Sequence, residues 1–293
     1  MEILHETEVD AFVHRVARVE NDVFMFCEHN YEDSVTSEIT FTYEMRVYNH
    51  NNMDEVPYTI ELPGMRLHNV EDMTGCDASD RLYVLEADSE LDCSSVYFIA
   101  RDEDGVFYVE TWISDIRCLA SSITASAEGG LIMMSKLGGL DCEAVSIFSP
   151  DGFLQHKVIL SPDVDGFTYV RSAIQKANGN LVLESVSEQL KKLLTEINMD
   201  GNIERRYESS LSGISGVNSA DPFGRILIND PDNGIELIDS EFNRLEFTGP
   251  QPHKDDFCCF YRLRYDRERN EVIGICSGTS DYTGLIIFRL SEE

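Results

Sequence analysis

The chain has few cations. Lys and Arg number 23 against 54 Asp and Glu, a formal net charge of −31. Nucleic-acid binders need Lys and Arg to displace counterions from phosphate, so this balance argues against a nucleic-acid partner. It argues equally against an anionic membrane surface. No run approaches the about 18 consecutive apolar residues of a membrane span. Cysteines are eight and scattered (Cys27, Cys76, Cys93, Cys118, Cys142, Cys258, Cys259, Cys276), with no C-x-x-C pair and no N-x-[ST] sequon in the chain. That density does not make a disulfide scaffold. The opening MEILHETEVDAF carries acids where a secretory signal carries basic residues. Together these lead to the expectation of a cytoplasmic protein with reduced thiols. There is no H-E-x-x-H, no G-x-S-x-G elbow and no phosphate-binding glycine loop, so no cofactor and no common hydrolytic centre is expected.

What is present is a globular composition, 42% hydrophobic and 26% charged, and a repeat. Six tight polar turns are each followed by a short apolar run: Asn21-Asp22, Asp80-Arg81, Gly129-Gly130, Gly179-Asn180, Gly224-Arg225 and Asn270-Glu271. The first apolar residues after them are Val23, Leu82, Leu131, Leu181, Ile226 and Val272, spaced by 59, 49, 50, 45 and 46 residues. Most of these periods approach the about 40–50 residues of a propeller blade. An insertion between Glu28 and Ile39 accounts for the longer first one.

Each unit repeats one internal order. A strand leads into the turn and a second follows it. A third comes after a variable loop, and a fourth closes five of the units. The turn before the fourth strand is Asp104-Gly105, Asp151-Gly152 or Asp200-Gly201 in three units, and Asp-Gly accepts the positive φ of a tight hairpin. Ser187–Leu194 suits either a short helix or an exposed loop. The sixth unit ends at Glu293 with no room for a fourth strand, while Glu2–Thr7 is a strand without a unit. The expected fold is therefore an all-β, six-bladed β-propeller of four-stranded antiparallel blades. The N-terminal strand completes the last blade, so residues 1–293 form one domain.

The stretch Asp221-Pro222-Phe223-Gly224-Arg225-Ile226-Leu227-Ile228-Asn229-Asp230-Pro231-Asp232-Asn233-Gly234-Ile235-Glu236-Leu237-Ile238-Asp239 resembles an NHL repeat, and Ala177–Arg206 is similar to one. The other four units share only the strand order. The resemblance implies a six-bladed propeller that recognises a protein partner. Such modules occur in ubiquitin ligases of the tripartite-motif type, and some bind RNA through a basic face.

In a propeller, the loops joining strands two and three, and those leading to the next blade, lie on one face. Binding residues concentrate on such loops. Here they carry Tyr31, Glu32, Asp33, Asp88, Glu90, Asp92, Asp163, Asp165, Asp230, Asp232, Asp255, Asp256, Asp281 and Tyr282, with Trp112 beside them. An acidic face with a few aromatics suits a basic peptide or protein segment. A solvated rim on an acidic protein accounts for the same residues more plainly. The alternative function is a calcium-dependent hydrolase or lactonase-like propeller, resembling the gluconolactonase and paraoxonase group, with Asn218, Asp221 and Asp230 at a metal in the channel. Turn chemistry explains those two aspartates equally well.

Overall fold

The computed structural model of the protein describes residues 2–32, 39–53, 55–126, 128–136, 143–160, 170–176, 178–186, 191–212, 217–220, 226–230, 234–248, 252–253, 256–257, 259–266, 269, 271–277 and 283–289. Six antiparallel four-stranded sheets stand in a ring. Blade 1 is β2 (Phe12–Val19), β3 (Asp22–Glu32), β4 (Ile39–Asn49) and β5 (Tyr58–Ile60). Blade 2 is β6 (Val70–Cys76), β7 (Arg81–Asp88), β8 (Cys93–Arg101) and β9 (Phe107–Ile116). Blade 3 is β10 (Leu119–Ala125), β11 (Leu131–Lys136), β12 (Glu143–Phe148) and β13 (Leu154–Leu160). Blade 4 is β14 (Ser172–Gln175), β15 (Leu181–Val186), β16 (Lys191–Ile197) and β17 (Ile203–Ser212). Blade 5 is β18 (Val217–Ala220), β19 (Ile226–Asp230), β20 (Gly234–Ile238) and β21 (Arg244–Thr248). A two-stranded hairpin follows, β22 (Pro252–His253) with β23 (Asp256–Phe257).

Blade 6 is β24 (Cys259–Asp266), β25 (Glu271–Ser277) and β26 (Thr283–Arg289), completed by β1 (Glu2–Val9). β1 runs antiparallel to β26 from Glu2 opposite Arg289 to Val9 opposite Thr283. The N-terminal strand thus covers the edge that the last blade would otherwise expose. Around the axis the first strands of the six blades neighbour one another in turn, β2, β6, β10, β14, β18, β24 and back to β2.

The second strands explain the core. Their apolar runs (Leu131-Ile132-Met133-Met134, Leu181-Val182-Leu183, Ile226-Leu227-Ile228) do not alternate with polar residues. A strand whose two faces are both buried needs no polar face. Successive side chains here go to opposite gaps: Leu131 and Met133 pack towards blade 2, Ile132 and Met134 towards blade 4. Val182 packs towards blade 5, while Leu181 and Leu183 pack towards blade 3. The molecule consequently has six apolar cores, one in each gap between adjacent blades.

The turns before the fourth strands of blades 2, 4 and 5 share one chemistry. Asp102, Asn198 and Asp239 each accept, through side-chain oxygen, backbone N–H groups two and four residues on. Positive φ falls at Gly105, Gly152 and Gly201, and in blade 5 at Phe242.

Two expectations need correction. The insertion expected between Glu28 and Ile39 is not all loop: β3 and β4 remain paired from Asp22 opposite Asn49 out to Glu32 opposite Ile39. The insertion lengthens a hairpin, because Ile39-Thr40-Phe41-Thr42-Tyr43 is built of β-branched and aromatic residues. Within Ser187–Leu194, Lys191–Leu194 are strand and not helix, pairing with β15 and β17. The remainder of that stretch, 187–190, lies outside the described residues.

Candidate interaction face

The loops joining strands two and three share one end of the ring. In blade 1 that connection is the long β3–β4 hairpin. Phe12, the first residue of β2, pairs with Glu28, so β3 beyond Glu28 has no neighbour on that side among the described residues. On the other side β5 reaches only Met45, Arg46 and Val47. The outer hairpin, Glu28–Glu32 with Ile39–Tyr43, therefore projects as a two-stranded arm.

A polar network fixes the arm's base. The Glu44 carboxylate meets His29 Nε2 at 2.7 Å and accepts from Arg46 Nε at 2.6 Å and Thr59 Oγ1 at 3.0 Å. Burial pushes the Glu44 carboxyl up, but these donors outweigh it and hold it below the ordinary value. Arg46 also pairs with Asp10, which lowers the Asp10 carboxyl. Across the arm, His14 Nε2 lies 3.0 Å from Glu28. Phe26 stacks on Tyr43 with ring centroids 5.8 Å apart, and Phe12 meets the His14 ring edge-on at 4.9 Å. Beyond this packed base, Phe12, Tyr31, Ile39 and Phe41 are all more than half exposed.

The corresponding turn of blade 2 is acidic. Asp88 Oδ1 accepts the N–H of Glu90 at 3.0 Å and of Leu91 at 3.1 Å, and the same carboxylate pairs with Arg66. This leaves Asp88 buried as the keystone of the turn, with Glu90 and Asp92 exposed on it. Asp92 takes the left-handed conformation, φ 50, which aspartate tolerates better than most residues.

Trp112 serves the gap between blades. Its Nε1 donates to the Pro150 carbonyl at 3.1 Å, and its ring lies 4.9 Å from that of Tyr83 and 6.1 Å from that of Phe148. Tyr31 is exposed on the arm. Asp33, Asp163, Asp165, Asp232, Asp255, Asp281 and Tyr282 lie outside the described residues, as do the side chains of Glu32, Asp230 and Asp256. So do Asp221 and the Asn218 side chain, which leaves the calcium alternative untouched. Among the described residues no three His, Cys, Asp or Glu stand together as a metal site, and no helix is long and apolar enough to cross a membrane.

Sequence reasoning missed the charges on the first strands. Asp72 on β6 lies 3.5 Å from Arg15 Nε of blade 1, accepts from Arg264 Nη2 of blade 6 at 2.8 Å, and holds the Ile123 N–H of blade 3 at 3.1 Å. One carboxylate thus links four blades. The expected binding residues also leave out the exposed Ile39 and Phe41, although the alternation of β-branched and aromatic residues from Ile39 to Tyr43 marks a strand face.

The fold is shared with solved structures. The structure of the Dos1 propeller superposes with a TM-score of 0.53 at 9% identity, covering 99% of this chain and 95% of that one. The β-propeller domain of the Trilobed protease from Pyrococcus furiosus, described as having an open velcro topology, gives 0.52 at 11% identity, covering 97% and 86%. A protein of unknown function from Bacteroides caccae gives 0.51 at 10% identity, covering 79% and 78%. No family model and no curated protein matches the chain. The likeness establishes a β-propeller fold.

Proposed function

We infer that this propeller is a non-enzymatic, NHL-like interaction module of the cytoplasm. It recognises a protein partner, a basic peptide or segment, through the acidic loops at the end of the ring that carries the blade-1 arm. The blade-2 turn carries the reading. There Asp88 is consumed in holding the backbone, while Glu90 and Asp92 stay exposed. In a protein of net charge −31 such exposed carboxylates favour cationic ligands and raise their association rate.

The test is binding of fluorescent Lys/Arg-containing peptides at increasing salt. Affinity should fall steeply between low and physiological ionic strength as charges are screened, and Glu90→Gln with Asp92→Asn should lessen that dependence. Salt-independent binding, unaffected by both substitutions, refutes the acidic-face reading. A thermal midpoint raised by calcium and lowered by chelator would favour the hydrolase instead.

A further inference from the structure

Among the described residues, blade 1 alone leaves most of its third strand without a paired fourth strand. In blade 2, β9 pairs with β8 from Arg101 opposite Phe107 to Ser94 opposite Ile116. In blade 3, β13 follows β12 from Glu143 to Phe148. In blade 4, β17 follows β16 from Lys191 to Ile197, and β1 follows the length of β26. In blade 1, β5 covers only Met45–Val47 of a strand that begins at Ile39. Among the described residues, no strand pairs with the outer edge of Ile39–Glu44.

This edge lacks several of the devices that keep edges unpaired, namely prolines, lysines, bulges and shortness, and Glu44 at its inner end is its one charge. Ile39–Glu44 contains neither Pro nor Lys, and its register with β3 runs without a bulge to Glu32 opposite Ile39. Ile39, Thr40, Phe41, Thr42 and Tyr43 all have high strand propensity. By strand periodicity Ile39, Phe41 and Tyr43 lie on one face, with Thr40, Thr42 and Glu44 on the other. Ile39 is 58% and Phe41 51% exposed.

We propose that the outer edge of Ile39–Glu44 is a docking strand. An extended segment of a partner protein, alternating apolar and basic residues, adds to it as the missing part of the fourth strand. The proposal rests on the interaction-module reading and names the surface and the binding mode. Backbone N–H and C=O groups of the edge supply the hydrogen bonds, and the spacing of side chains sets the specificity. The partner's apolar side chains lie beside Ile39 and Phe41, and its basic ones beside Thr40 and Thr42, because the Glu44 carboxylate is already taken by His29, Arg46 and Thr59. Charge selects the occupant. Two copies of this chain would bring together −31 on each side, whereas a cationic segment is drawn to the same field.

The probe is a labelled, end-blocked hexapeptide of alternating lysine and valine. Its controls are the same peptide N-methylated at alternate amides and one of the same composition in block order. The proposal expects saturable binding, about tenfold or more weaker for the N-methylated and block peptides. It expects slower amide exchange confined to residues 39–44 of the arm. Phe41→Lys should weaken binding by about tenfold or more with an unchanged thermal midpoint, because the ring is exposed. Ile39→Lys, at a second exposed position, should do the same.

Equal binding of the N-methylated peptide overturns strand addition. If that binding also survives Phe41→Lys but is lost in Glu90→Gln with Asp92→Asn, the acidic-loop reading stands alone. No binding of any of the three peptides overturns the proposal. Concentration-dependent dimerisation abolished by Phe41→Lys overturns it in favour of a second copy as the occupant.

Discussion

The join between the last and first blades is held by a buried ion pair, and removing one half of it should be costly. Arg18 of β2 donates through Nη1 to Glu271 Oε2 of β25 at 2.9 Å, with side chains only 3% and 6% exposed. Arg289 Nη2 meets the other Glu271 oxygen at 3.0 Å, and His50 Nε2 stands 3.6 Å away. Glu271→Gln keeps the shape and removes the charge, leaving the Arg18 guanidinium buried beside a neutral amide. Breaking a buried pair in this way costs about 3–5 kcal/mol. The Arg289 contact adds little, about 0–1 kcal/mol, because that side chain is 43% exposed to solvent. Replacing both partners by apolar residues, Arg18→Met with Glu271→Leu, removes the desolvation cost as well and should return stability to within about 1–2 kcal/mol of the parent. Denaturant unfolding of the parent, the singles and the double mutant closes the cycle. A cost below about 1 kcal/mol for Glu271→Gln, or single effects that simply add in the double mutant, refutes the account of the seam.

Three further outcomes follow from the same structure. Deleting Met1–Val9 uncovers β26 and removes Leu4 and Val9 from the core between blades 6 and 1, forfeiting about 3–6 kcal/mol of apolar burial. The thermal midpoint should fall, and a peptide of those residues should restore it; an unchanged midpoint refutes the closing role of β1. Burial, then the Arg18 charge, hold the His50 imidazole below its ordinary value of 6.5, so the unfolded chain takes up that proton more readily. This contribution to stability is complete above about pH 6.5 and is lost as pH falls below it; His50→Gln should flatten that part of the acid limb in pH-dependent unfolding. Gly75→Ala would place Cβ 1.6 Å from the Arg18 carbonyl oxygen, forcing β6 away from β2 at a cost of about 1–3 kcal/mol or more, read as a shift in denaturation midpoint.

The scaffold was legible because its signal is local. Runs such as Leu131–Met134 and Ile226–Ile228, punctuated by polar turns at near-regular intervals, identify doubly buried strands one by one. The leftover strand at Glu2–Thr7 then pairs with the only unit that lacks one. The arm was legible only in part: Glu28–Glu32 is largely polar and falls in the insertion that lengthens the first period, so it reads as loop. The residues that form the arm, Ile39–Tyr43, have the composition of a strand. Trp112 shows a different limit. Its place in the sequence put it beside a loop, and only the neighbouring blade revealed the Pro150 carbonyl that its indole N–H meets.

By itself, then, the sequence determined the architecture: six four-stranded units, their strand order and the closure of the ring by the N-terminal strand. Strand period, turn chemistry and buried apolar runs are properties of neighbouring residues. The tertiary structure decided what joins residues distant in the chain. It brought Arg18 to Glu271, gathered Arg15, Arg264 and Ile123 around Asp72, and, among the described residues, left the outer edge of Ile39–Glu44 without a pairing strand. No short-range pattern encodes these, because each depends on how the blades are set against one another and on how far a fourth strand happens to reach.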